Sequence, residues 1–342
     1  MRLRFSFVAV ALVFGVASVG AQDLNGSNAL RTNIKEAKER ARSYQGRGAE
    51  QTERFSKKVR VGRDGRVNIS NISGDITVTG GSGDEVSVEA VKRTRGDRDE
   101  LSRIEITVED RAGHVDVRTN HLGRNDHVSV DYTVTMPASA SLEVASVSGS
   151  VKIASVKGSV RATSVSGTVT ASDTPKLESA RSTSGNVSVS GLSTDSDVSA
   201  GSVSGNVVLK GVKARGLELG SVSGDVLISD ATCDRVTAKS VSGAIEYSGT
   251  ISKGGVYEIN SHSGTVRLAL TNPAGFYLNA NSFSGSIRSD LPITIGGDAN
   301  RSGDSSRRRG GVNQHEIRGV YGDGSATLTL RTFSGSIVIE KR

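Results

Sequence analysis

The chain has 342 residues, a formal net charge of +7, 35% hydrophobic and 4% aromatic residues, 41 glycines, no tryptophan and one cysteine. A globule of that length would draw on more large side chains, so this composition points instead to a thin core lined by Val and Ile. A single cysteine excludes an internal disulfide framework, and a mild, diffuse charge without aromatic interleaving excludes nucleic acid as the partner of an exported chain.

Residues 1–21 read as a secretory signal peptide. Arg2 and Arg4 precede an apolar run from Phe5 to Val19, and Val19-Gly20-Ala21 supplies small or short residues for cleavage. No later apolar run is long enough to span a bilayer, so the expectation is a protein with no transmembrane segment after signal removal, exported to the periplasm or the extracellular space. Residues 22–58 form a polar leader. Leu30, Ile34, Ala37, Ala41 and Tyr44 recur at spacings of four and three among charged residues, a thin helical stripe. It predicts a partly helical, mobile leader, with homo-oligomerisation through this stripe as the alternative.

Residues 59–144 alternate strictly, as in Val67-Asn68-Ile69, Val86-Ser87-Val88, Ile104 to Val108, Val115-Asp116-Val117 and Val128 to Val134. That period marks half-buried strands, joined here by Gly and Asp turns, with a short helix expected between Gly96 and Leu101. An open stack of strands exposes unpaired edges, so this region is expected to cap it.

From residue 145 to 342 one sentence recurs, Ser-Val-Ser-Gly-Xaa-Val. Counting the early copy at Gly74, its glycine falls at Gly74, Gly149, Gly158, Gly167, Gly185, Gly205, Gly224, Gly243, Gly264, Gly285 and Gly335. Such a period means stacked repeats. A β-branched residue follows each glycine by two, and further apolar residues follow at a spacing of two, the strand period. Counting by two through the glycine places Val147, Val156, Val165, Val203, Val222, Val241, His262, Phe283 and Phe333 inward, with the glycine as an inward bend and the serines as outward ladders. One coil is two nine-residue units, with one uniform edge and one edge of variable turns such as 213–216, 232–234 and 253–255. The fold class is therefore all-β, a parallel β-solenoid expected to coil right-handed. The interval from Gly285 to Gly335 exceeds one coil, and residues 295–324 supply the excess as a basic loop. Arg307, Arg308 and Arg309 in it are the candidate anion-binding residues, against the plainer reading of a solvated loop.

Ile72-Ser73-Gly74-Asp75-Ile76-Thr77-Val78, the run Val128 to Pro137, the Ser-Val-Ser-Gly rungs and Thr332-Phe333-Ser334-Gly335-Ser336-Ile337 together resemble the exported bacterial putative-adhesin family. The resemblance covers nearly all of the chain after the signal. It implies a β-helix-like envelope protein without assigned catalytic residues.

No catalytic constellation emerges from the residues. His114, His121, His127, His262 and His315 lack metal-ligand spacing, and no cofactor is called for. Gly80-Gly81-Ser82-Gly83-Asp84 lacks the repeated aspartates of a calcium roll. Cys233 has no flanking base and reads as a small buried residue. Tyr247, Tyr257, Phe276, Tyr277 and Phe283 read as core thickening before a sugar-stacking patch. Asp225, Asp230 and Asp234 carry the alternative of a β-helix enzyme acting on polysaccharide. The leading expectation is a non-enzymatic interaction protein, an adhesin or scaffold whose partner is an envelope or surface polymer or protein. An envelope sensor gripping an anionic polymer is the third reading.

Overall fold

The computed structural model describes residues 50–111, 113–123, 127–295 and 315–342. The segments expected to be signal and leader, up to residue 49, lie outside the described residues, as do Arg301, Arg307, Arg308 and Arg309. Among the described residues there is no helix long and apolar enough to cross a membrane.

The repeats stack as parallel rungs, each made of two strands that meet at a glycine corner. The strands before the glycine form one column, as in Ser141–Ser148, Val160–Ser164 and Leu177–Ser182 paired side by side. The strands after it form a second column, as in Val151–Ala154, Val169–Ser172 and Val187–Ser193. The inward residues are β-branched or small, and Val160, Ala162, Val169, Ala171, Val187 and Val207 are fully buried. Their alternation pins the register, because a one-residue slip would turn the whole apolar set outward. The fold is thus all-β and solenoid-like.

Chain order and spatial order part company at both ends. In the N-terminal half, Arg66–Ser73 pairs with His114–His121 on one side and with Ser141–Ser148 on the other. Ile76–Gly81 likewise lies between Ser129–Pro137 and Val151–Ala154. The Gly74 rung is therefore an interior rung of the ladder. At the other end, Ala326–Thr332 lies between Ile245–Ser263 and Phe276–Ser282, and Ile337–Lys341 between Val266–Leu270 and Ile287–Ser289. The last copy of the motif is thus the penultimate rung in space.

Antiparallel strands flank both ends. Gln51–Arg60 pairs with Glu85–Thr94, which pairs with Ser129–Pro137. The polar leader predicted over 22–58 is therefore extended at its C-terminal end. Only Phe55 and Val59 of this edge strand turn toward the core, too few to give a period-two signal. The short helix expected before Ile104 is a 3-10 turn, Arg98–Arg103, that buries Leu101. The loop predicted over 295–324 likewise ends in a strand, Glu316–Tyr321, antiparallel to Phe276–Ser282 and Thr294–Ile295. In the middle rungs the predicted turns at 213–216, 232–234 and 253–255 are bends within continuous strand pairing, at or beside the left-handed residues Gly211, Asp230 and Gly254. There Val207–Ser221, Val226–Ser242 and Ile245–Ser263 run through as continuous strands with register shifts.

Candidate functional site

The glycine corner differs from the period-two reading in a way that determines the surface. Ser164, Ser182, Ser202, Ser221, Ser240, Ser261, Ser282 and Thr332, three residues before their glycines, are buried. Each donates a hydrogen bond to the carbonyl of the glycine one rung away: Ser182 to Gly167, Ser202 to Gly185 and Ser221 to Gly205 at 2.8–2.9 Å, and so on to Thr332 on Gly264 at 3.1 Å. The glycine is required by contact more than by bending. A Cβ on Gly205 would fall on the Gly185 carbonyl, closer than the 3.0 Å that real Cβ atoms keep, and the same clash repeats along the ladder. At the N-terminal end Asn71 takes the serine's place. Its Nδ2 donates to the carbonyls of Val130, at 2.8 Å, and Gly74, at 3.0 Å. Because Asn71 already serves the Gly74 carbonyl, the next serine, Ser146, is left with a buried hydroxyl lacking a partner.

Ten of the eleven motif glycines belong to this ladder. The exception is Gly158, whose Cβ would strike the Ala140 carbonyl and whose Val156 is buried, so that copy sits on the opposite edge. In the remaining rungs the residue two before the glycine points outward, which reverses the inward placement. Ile72, Val147, Val165, Val203, Val222 and Val241 are 42–50% exposed, and Phe333 and Phe283 are 49% and 69% exposed. The serines beside them are not all outward, since the one three before the glycine is buried. Period-two counting fails here because the corner inserts an odd step between one inward set and the next. The signal that resolves it lies upstream in each rung. Leu142 and Val144, Leu217 and Leu219, or Leu328 and Leu330 place the residue two further on, Ser146, Ser221 or Thr332, on the inner face.

The outward ladder runs in space through Ile72, Val147, Val165, Thr183, Val203, Val222, Val241, His262, Phe333 and Phe283. Nine steps at the ~4.8 Å strand spacing make it about 43 Å long. Its last three members stack as rings, His262 on Phe333 at 5.0 Å and Phe333 on Phe283 at 4.7 Å, with interplanar angles of 6° and 3°. Beside the ladder lies an open trough of about 440 Å³ where Gly201 and Gly220 remove side chains between Arg181 and Lys239. It continues past Lys239 and Ser240 into a second hollow of about 480 Å³ along the ring stack.

Residues 65–340 match the family described as Toastrack DUF4097. The chain belongs to the Toastrack family. This agrees with the resemblance to the exported putative adhesins. Solved structures similar to this Toastrack chain include a putative adhesin from Bacteroides fragilis, 12% identical with a TM-score of 0.43, covering 84% of this chain and 97% of its own. A second putative adhesin, from Parabacteroides distasonis, is 15% identical with a TM-score of 0.42, covering 87% and 98%. A putative lipid binding protein from the same species is 10% identical with a TM-score of 0.41, covering 85% and 97%. Among curated proteins none matches the chain.

The carboxylates considered for polysaccharide cleavage do not gather in the Toastrack fold. Asp225 sits at the glycine corner, where its Oδ1 accepts the Ala244 N–H at 2.8 Å, repeating what Asn206 does for the Asp225 N–H. Asp230 lies across the rung in a left-handed turn with φ of 52° and pairs with Arg342 at 3.6 Å. Asp234 follows it on that far edge. Among the described residues no group of three or more His, Cys, Asp or Glu is placed to hold a metal ion. Cys233 is buried, and that burial pushes its thiol up to about 11. Tyr247, Tyr257 and Phe276 are buried as core, whereas Tyr277 and Phe283 are exposed. Burial raises both core tyrosines; the Tyr257 hydroxyl donates to the Cys233 carbonyl and accepts from the Ser252 N–H.

Proposed function

We propose that this protein is a non-enzymatic interaction protein of the cell envelope or its exterior, an adhesin or scaffold, whose contact surface is the outward ladder at the glycine corner. The observation that carries the reading is the continuity of that ladder. Scattered exposed valines need no explanation, but a file of exposed Ile, Val and Phe side chains, interrupted only by Thr183 and His262, is an apolar stripe of the kind that marks an interaction site. The stripe is long and about one side chain wide, which suits an elongated partner better than a globular one. A right-handed coil, a sealing role for the antiparallel strands between Gln51 and His121, and export after loss of residues 1–21 complete the proposal.

The test replaces Val147, Val165, Val203, Val222 and Val241 together with serine. These side chains are about half exposed, so the variant should still unfold cooperatively with only a modestly lowered midpoint. Sedimentation with isolated bacterial envelopes should weaken at least tenfold. Undiminished binding by the folded variant overturns the reading.

A further inference from the structure

At one end the ladder changes character, and the change names a class of ligand. Lys239, Asn260, Arg331 and Asn281 are neighbours on four successive rungs, paired residue against residue in the parallel column. They alternate cation, amide, cation, amide, so the two charges recur every second rung, about 10 Å apart. Neither Lys239 nor Arg331 has a carboxylate within ion-pair reach among the described residues, and of the three acids beside this file, Glu218, Glu258 and Glu316, the last two are already engaged. Glu258 accepts the Asn260 amide at 2.8 Å, and Glu316 pairs with Arg318 at 2.7 Å. Parallel to the file, two residues on, runs the stack of His262, Phe333 and Phe283. Rings stacked face to face present their edges to solvent, and the edge is the positive end of the aromatic quadrupole. Cations, amide groups and ring edges together favour an oxygen-rich anion and disfavour a purely apolar chain.

We propose that this end of the trough binds a linear acidic polysaccharide lying along the stacking axis, with carboxylates at alternate sugars meeting Lys239 and Arg331. The inference rests on the interaction reading above and narrows it to a partner. Two pyranose rings in line roughly match the interval between the charges, and the exposed Asn281, one rung beyond Arg331, meets hydroxyls. An extended acidic peptide is disfavoured because the trough floor is a sheet face whose backbone groups are already paired, leaving no edge for strand addition.

The experiment measures binding of the full chain to hyaluronan, an alternating uronate polymer, beside dextran, poly-glutamate and phosphatidylglycerol vesicles. Hyaluronan should bind at least tenfold more tightly than the other three, and rising salt should weaken it by screening. The exposed double substitution Lys239→Glu with Arg331→Glu should cost at least tenfold, and Phe283→Ser with Phe333→Ser a smaller factor. Equal binding to dextran, tighter binding to poly-glutamate or vesicles, or an unaffected charge-reversal variant overturns the inference. The two readings fail separately. If the five-valine variant loses envelope binding while hyaluronan is never bound, only the acidic-glycan assignment falls; if that variant keeps envelope binding, the stripe itself is not the contact surface.

Discussion

The two long edges of the stack are built from the same chain under opposite rules. At the glycine corner successive rungs approach so closely that a Cβ cannot be accommodated, and a buried serine seals each glycine carbonyl. At the opposite edge the chain bulges, runs through as strand, or turns with left-handed residues such as Ser155, Asp173, Asp230 and Asn272. Sequence regularity therefore reports contact distance. Where the backbone contact repeats on every rung the motif cannot drift; on the opposite edge such contacts occur at single rungs, as at Gly80, Gly158 and Gly249, and the sequence varies.

The sharpest way to break this comparison is to put one methyl group on each edge. Gly205→Ala places a Cβ against the Gly185 carbonyl, and backbone on both sides leaves little room to relax. A loss on the order of 3 kcal/mol is expected, by the overpacking and strain that produce large single-site effects. Gly254→Ala, on the opposite edge, meets no atom within 4 Å and suffers only from its φ of +76°, a cost of about 1 kcal/mol. Denaturant unfolding of the two variants checks the contrast. Equal losses would mean that the corner glycines are there for conformation and not for contact.

A second pair sharpens it within a single corner. Ser202 and Val203 are adjacent, yet the serine is buried and the valine is 46% exposed. Ser202→Ala removes the 2.8 Å bond to the Gly185 carbonyl and should cost about 1 kcal/mol. Val203→Ser should stay within about 0.5 kcal/mol of the parent, as surface changes do. Hydropathy alone predicts the reverse order, so unfolding free energies of the two variants decide between them.

Much of the architecture was legible in the residues because it is periodic. The strands around Val67, Ile76, Val86, Ile104, Val115 and Tyr132, the stacked repeats and the uniform edge follow from alternation and spacing. What was not legible has two causes, the dependence on which rung lies beside which and the parity of the glycine corner. The motif at Gly335 looks terminal in the chain, yet its Cβ position faces the Gly264 carbonyl while Gly285 in turn faces Gly335, and local patterning carries no such information. The polar run at Gln51–Arg60 becomes a strand because Glu85–Thr94 offers it an edge. The outward ladder was hidden by parity. A valine flanked by serines reads as core until the inner pair at Leu217 and Leu219 is used to count forward, which turns Ser221 inward and Val222 out.

The smallest expected effect tests whether an acidic residue on the uniform edge does anything beyond stitching. Asn186 accepts the Asn206 N–H, Asn206 the Asp225 N–H, and Asp225 the Ala244 N–H, each at 2.8–2.9 Å. Asn does the same work as Asp at this place, so the interaction calls for an acceptor oxygen and not for a charge. Asp225→Asn should therefore leave stability unchanged within measurement, whereas Asp225→Ala should cost about 0.5 kcal/mol, since the freed N–H is exposed and turns to water. Neither should alter binding to envelopes, because the side chain is spent along the stacking axis and lies off the outward ladder. A catalytic carboxylate behaves differently: Asn would be as damaging as Ala to turnover of a polysaccharide while leaving unfolding untouched. Product analysis by chromatography with both variants separates the two behaviours. Detectable cleavage by the parent that vanishes in Asp225→Asn would move this residue from scaffold to active site.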